Sequence, residues 1–253
     1  MTNQKLYPAD YLQAQLEIIS GHVEKPVTGY MIGGCAMSIQ SLKRATKDVD
    51  LVFSDNANLD AFIAALAKAG YKKQSRLTED YEDLKTEGIY ENKDGMRVDV
   101  FLQKVCGNLV LSKTMQERAT QKVNYAQLTL FLASKEDILL FKGITQRQKD
   151  IDDMIMIIES GADWQVVLEE CKSQRRKVAF EGALLDKLRE IAARGYNIPI
   201  LRELEKRNKE NLVRDALDMR LAQGKTFEQA REELRKMKFS TKQIDKAFAE
   251  LKK

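Results

Sequence analysis

Two aspartates one residue apart, Asp48 and Asp50, are the side chains in this sequence best suited to chemistry. They stand in Asp48-Val49-Asp50-Leu51-Val52-Phe53, where acids give way to apolar residues at the period of a strand with two unlike faces. On a strand, residues i and i+2 share a face, with Cα atoms roughly 6–7 Å apart. Carboxylates that close raise each other's proton affinity. A fold tolerates them at an exposed edge, or with a cation between them. Val49, Leu51 and Phe53 mark the opposite face as buried, so the acids project from a rigid element, as a divalent-metal site requires. A third acid, Asp99, lies alone in the apolar run Arg97-Val98-Asp99-Val100-Phe101-Leu102. It suits an edge strand with one wet face. If its strand instead lies beside Asp48–Asp50, three carboxylates converge and can hold two Mg²⁺ or Mn²⁺ ions roughly 3.5–4 Å apart.

Gly33 and Gly34 supply a complementary half. Without Cβ atoms they let the backbone approach a phosphate closely, and the helix expected after them, Cys35–Leu42, aims its N–H groups at the same anion. Glycine pairs also mark ordinary turns. Zinc chemistry is excluded on composition: the three cysteines (Cys35, Cys106, Cys171) form no CxxC pair, and the single histidine, His22, sits beside Gly21 in a turn. Any metal is therefore expected on carboxylates.

The run Gly33-Gly34-Cys35-Ala36, a short helix, then Arg44-Ala45-Thr46-Lys47-Asp48-Val49-Asp50 resembles the nucleotidyltransferase superfamily of the DNA polymerase β type, and within it the AbiEii-type toxins and related nucleotidyltransferase-like proteins. A later stretch, Lys142-(x)4-Arg147-x-Lys149-Asp150-(x)2-Asp153, resembles the family's second motif. The resemblance implies a metal-dependent transfer of NMP from an NTP, ATP among the candidates, to an acceptor, with release of pyrophosphate. It implies Mg²⁺ or Mn²⁺ on Asp48, Asp50 and Asp99, with one acid as general base. Gly33 and Gly34 would line the triphosphate, Arg44 and Thr46 would fix the loop or touch phosphate, Lys142 would contact the nucleotide phosphates, Asp150 would orient basic partners or the base, and Arg147 would join them in the nucleotide site. The acceptor is left open among RNA (tRNA), a protein and a small molecule, and a cognate antitoxin is an implied partner. Gly34 stands where a serine is common, so Thr46 or backbone N–H groups must replace a hydroxyl.

The elements that must position these residues follow from periodicity. Residues 8–24 read as a helix ended by Gly21, Val27–Ile32 as a strand, and Leu59–Lys68 as an amphipathic helix closed by Gly70. Ile89–Asn92 and Met96–Leu102 flank a Gly-containing turn and read as a hairpin, and Leu128–Leu132 as a further strand. From Ser134 the chain turns helical, with helices expected at 135–145, 147–159 and 163–177, a boundary near Pro199, and three further helices; Thr226 with Gln229 and Ser240 with Gln243 form capping boxes. The fold class is α+β: a nucleotidyltransferase-like mixed sheet with flanking helices, followed by an all-helical C-terminal part. The expected divisions are 1–133 for the α+β domain, 134–198 for a helical extension completing the nucleotide site, and 199–253 for a basic three-helix segment.

At 253 residues, 43% apolar and 32% charged, the chain reads as globular and soluble. No apolar run approaches the ~20 residues that cross a bilayer, and the N-terminus lacks the basic and apolar pattern of a secretory signal, so a cytoplasmic location with no membrane partner is expected. Net charge is +4, and residues 201–253 carry 15 Lys and Arg against 10 Asp and Glu. That tail, and the basic cluster Lys172–Lys177, suit either an RNA contact or a solvated helix face. A non-catalytic nucleotide- or RNA-binding protein on the same fold is the alternative reading.

Overall fold

The structure is a computed structural model that describes residues 5–75, 84–145, 147–174 and 178–251. The chain divides into two compact units, residues 1–174 and 175–253. The sheet and the three helices after it fall in one unit, so this division does not coincide with the expected boundaries at 133/134 and 198/199.

In chain order the first unit contains β1 (Tyr7–Pro8), α1 (Ala9–Ser20), β2 (Val27–Ile32), α2 (Gly33–Ile39), β3 (Ala45–Thr46), β4 (Asp48–Phe53), α3 (Asn56–Lys68) and β5 (Lys72–Lys73). There follow β6 (Gly88–Glu91), β7 (Arg97–Leu102), β8 (Lys104–Val105), β9 (Leu109–Val110), α4 (Lys113–Arg118), β10 (Lys122–Asn124) and β11 (Leu128–Leu132). The unit ends with α5 (Lys135–Gly143), α6 (Asp150–Glu159) and α7 (Trp164–Ser173).

Seven strands form one mixed sheet in the order β10-β11-β2-β4-β7-β6-β5. Strand β4 lies at its centre, antiparallel to β2 and parallel to β7. Central position accounts for its composition: Val49, Leu51 and Phe53 are fully buried on one face, and Val52 is buried on the other with the two acids. Helix α3 packs on this sheet through Leu59, Phe62 and Leu66, and starts at Asn56 because the Asp55 side chain caps it by accepting from the Asn58 N–H at 2.8 Å. The hairpin β6–β7 forms as its Gly-containing turn predicts, with Ile89 opposite Asp99.

Helix α2 begins at Gly33, two residues earlier than expected, so both glycines lie in its first turn. Helix α5 is capped by Ser134, whose hydroxyl accepts from the Asp137 N–H, and stops at Gly143; α6 starts at Asp150. The break between them spaces Lys142 from Asp150 so that the two meet.

The second unit holds α8 (Val178–Ala193), α9 (Leu201–Ala222), α10 (Phe227–Lys236) and α11 (Thr241–Leu251). Val213, Leu217, Ala230, Leu234, Ile244 and Ala247 form its buried cluster, and Phe227 stacks on Phe248 at 3.8 Å. Both expected capping boxes form: Thr226 with Gln229, and Ser240 with Gln243. Glu181 of α8 accepts from Arg207 at 2.6 Å and Asn211 at 2.5 Å, tying α8 to α9. Residues 175–177 of the expected basic cluster lie outside the described residues. Among the described residues no helix is long and apolar enough to cross a membrane.

Candidate active site

The three acids share one face of adjacent strands. The parallel register of β4 and β7 sets Asp50 directly opposite Asp99, and Asp48 opposite Arg97. Across the other edge of β4, Asp50 faces Ile32, the residue before Gly33. This register places the acids at the start of α2, as strand-glycine-helix connectivity requires.

Asp99 is fully buried, and neither of its carboxyl oxygens has a hydrogen-bond partner. A buried polar group without a partner is costly. Its carboxyl stays protonated well above the ordinary carboxylate range, first because burial disfavours the charge and then because Asp48 and Asp50 repel it. Asp50, 9% exposed, is pushed up to about 7 by burial and then by Asp48. Asp48 is less constrained: its carboxylate accepts from Arg97 Nη2 at 2.9 Å.

The fit to a divalent cation can be judged from these facts. The donors are hard oxygens, two of them unpartnered, and the positive charge nearest Asp48 is Arg97. Carboxylates that hold their protons this tightly gain most from a cation beside them. The set is not closed: among the described residues no three His, Cys, Asp or Glu side chains are gathered into a finished ligand cluster. Strand pairing thus juxtaposes the three acids without the full convergence expected from the sequence, because Asp48 turns toward Arg97. His22 is exposed, as its place beside Gly21 predicts, and Cys35 and Cys171 are buried. Burial, then Asp50, raises the Cys35 thiol well above its usual value, which keeps it protonated.

The glycines are fitted to this floor. Gly33 adopts φ +64°, and a Cβ there would overlap Asp50 Oδ2. A Cβ on Gly34 would overlap the Thr46 hydroxyl. Thr46 is 4% exposed and lies opposite Tyr7, because β1 pairs with β3.

An open cleft lies above, walled by Gly34, Thr46, Asp48 and Asp50 on the sheet side and by Lys142, Arg147, Lys149, Asp150 and Asp153 on the helical side. The helical wall is a chain of ion pairs. Lys142 Nζ lies 3.1 Å from Asp150 and 2.6 Å from Asp153, and Lys43 Nζ lies 2.6 Å from Asp153. Arg147 Nε lies 3.0 Å from Asp150, which also accepts from the Thr145 hydroxyl at 2.5 Å. Burial alone would raise Asp150, but Lys142 and Arg147 outweigh it and hold the carboxyl below its ordinary range. Lys142 likewise keeps its charge against burial because Asp150 and Asp153 face it. Burial, then the charge of Arg147, lowers the Lys149 ammonium.

The expected residues thus fall into three groups. Gly34, Thr46, Asp48, Asp50, Lys142, Arg147 and Asp150 line the cleft together. Gly33 lines a second, smaller cavity that shares Asp50, Lys142 and Arg147 with the cleft and adds Ile32, Phe101 and Phe141, and Asp99 is fully buried and lines neither. Arg44 is exposed and outside the cleft lining. Lys43, Thr145 and Leu6 carry no signal in the sequence, and Lys47 stands in the first motif without a role. Asp153 and Lys149 were visible in the second motif but given no role. Nothing in the sequence links Lys43 to Asp153, which are 110 residues apart. One strut supports the wall from behind: Arg118 bridges Asp137 of α5 and Glu170 of α7, both at 2.6 Å.

Residues 11–169, within the first unit, match the family described as "Nucleotidyltransferase of unknown function (DUF6036)". No match is found among curated proteins. Among solved structures, an antigenic nucleotidyltransferase-like protein from Paracoccidioides brasiliensis is similar with 18% identity and a TM-score of 0.41, over 74% of this chain and 91% of that one. JHP933 from Helicobacter pylori is similar with 13% identity and a TM-score of 0.35, over 70% of this chain and 73% of that one. The match over residues 11–169 takes in the glycine pair, all three acids and both walls of the cleft, and the chain belongs to this nucleotidyltransferase family.

Proposed function

We propose that the protein transfers NMP from an NTP to an acceptor hydroxyl in a reaction that depends on Mg²⁺ or Mn²⁺. The observation that carries this reading is the register of β4 and β7, which sets Asp50 opposite an Asp99 whose buried oxygens have no partner. Asp48, Asp50 and Asp99 would hold the metal. When bound, it neutralises the triphosphate and sharpens an attacking hydroxyl. Gly34 lets the backbone reach the phosphates, and the Thr46 hydroxyl, in contact range of that position, supplies a donor. The acceptor oxygen forms the new bond to the α-phosphorus, and the bond to the bridging oxygen breaks. Pyrophosphate departs with that oxygen, and the hydroxyl proton passes to one of the three carboxylates. Lys142, Arg147 and Asp150 form a rigid wall that holds the nucleotide in line.

RNA, a protein side chain or a small molecule can each supply the hydroxyl. Incubation of the protein with each radiolabelled NTP, Mg²⁺ and total cellular RNA or protein identifies which becomes labelled. Labelling that disappears with Asp50→Ala is the expected result. Labelling by Asp50→Ala at the wild-type rate overturns the reading. Tight NTP binding without pyrophosphate release from any acceptor would replace it with a non-catalytic nucleotide-binding role.

A further inference from the structure

Five cationic side chains line the cleft, and three are committed. Lys43, Lys142 and Arg147 pair with Asp150 and Asp153 at 2.6–3.1 Å. Lys142 is only 5% exposed, so its ammonium is held inside the wall. Lys47 and Lys149 differ. Both line the same cleft, Lys47 half-buried and Lys149 exposed, and neither makes an ion pair with a described residue. They come from different walls: Lys47 links β3 to β4 immediately before Asp48, and Lys149 caps α6 immediately before Asp150. Burial and Arg147 lower the Lys149 ammonium, Asp48 and Asp150 act against them, and Lys47 adds a smaller repulsion. Two accessible cations that line one small concave site, with no carboxylate in ion-pair range among the described residues, attract an anion. Gly34 and the Thr46 hydroxyl border the same space.

We propose that Lys47 and Lys149 clamp the polyphosphate tail of the nucleotide, the part that leaves as pyrophosphate, and that Lys142 is a positioning residue that fixes Asp150 and Asp153. This rests on the nucleotidyltransferase reading. A local site bordered by Gly34, the Thr46 hydroxyl and both lysines suits a compact polyphosphate better than the extended backbone of a nucleic acid.

Calorimetric titration of the full chain with inorganic triphosphate, in chelator, reads the clamp without any turnover. Wild type is expected to bind, with an affinity that falls as salt rises. Lys47→Gln combined with Lys149→Gln is expected to weaken binding at least tenfold and flatten the salt dependence, with an unchanged circular dichroism spectrum. Lys47→Arg is expected to retain binding. The clamp is overturned by undiminished triphosphate binding in the double variant, by no binding in wild type, or by preference for a single-stranded RNA oligomer over triphosphate. The two readings fail separately. A double variant that labels acceptor at an unchanged KM for NTP removes the clamp and leaves the transferase. Triphosphate binding that depends on both lysines, in a protein that turns over no NTP, removes the transferase and leaves the clamp.

Discussion

Gly34 and Thr46 share one space. A Cβ on Gly34 would overlap the Thr46 hydroxyl and come within 3.1 Å of its Cβ, and Thr46 is too buried to step aside. Gly34→Ala therefore sets two effects against each other. Alanine's helix preference returns up to about 1 kcal/mol, while overpacking costs about 1–3 kcal/mol. Net destabilisation is expected, and adding Thr46→Ala should recover part of it. Urea midpoints of the four proteins in a double-mutant cycle measure the coupling; additive effects would show that the two positions do not compete.

Asp99 weakens the metal-free fold, because its buried oxygens lack partners. Asp99→Asn removes the cost of holding this carboxyl protonated in the fold, and is expected to raise stability in chelator at pH 7 and to abolish NTP-dependent labelling. Thermal melts with and without Mg²⁺ check this. A variant less stable than wild type in chelator would mean that Asp99 has a structural partner.

Asp150 behaves in the opposite sense. Its folded pKa is depressed, so the stability it contributes is present above the ordinary carboxylate range and is lost as pH falls through the folded value. Asp150→Asn is expected to cost about 3–5 kcal/mol at pH 7, toward the lower figure because Lys142 keeps Asp153. The difference between the two proteins should hold from pH 7 to 5 and narrow below about pH 4. A difference that widens on acidification would contradict the assignment.

Arg118 touches nothing in the cleft, yet it holds two fully buried carboxylates, Asp137 on α5 and Glu170 on α7. Arg118→Leu leaves both without their cation and is expected to cost about 3–5 kcal/mol. Arg118→Lys keeps the charge without the fork that donates to Asp137 through Nε and Nη2, and should cost less. Denaturation midpoints distinguish the three proteins.

Much of the sheet was legible because its strands carry strong period-2 or apolar runs with clear breakers. Val27–Ile32 and Leu128–Leu132 form with the expected ends. The two-residue strands β1 and β3 were not, since two residues cannot show a period; their pairing is set by tertiary contact. Helix α8 was not anticipated either: Val178–Ala193 carries no N-terminal capping signal in the sequence. In the site, Asp48 and Asp50 declare themselves by spacing, whereas the role of Lys43 depends on a partner from a distant helix. The ion pair of Asp48 with Arg97 was equally hidden, because it arises from the register of β4 on β7.

Strand β1 runs beside β3, and the Leu6 side chain just before it lines the cleft at 56% exposure. Any polypeptide joined directly ahead of Leu6 therefore starts out beside the cleft. Fusions at that end are expected to compete with substrate for room in the cleft. The same geometry offers a route to an inhibitor: a short acidic extension grafted there would meet Lys47 from within its own chain.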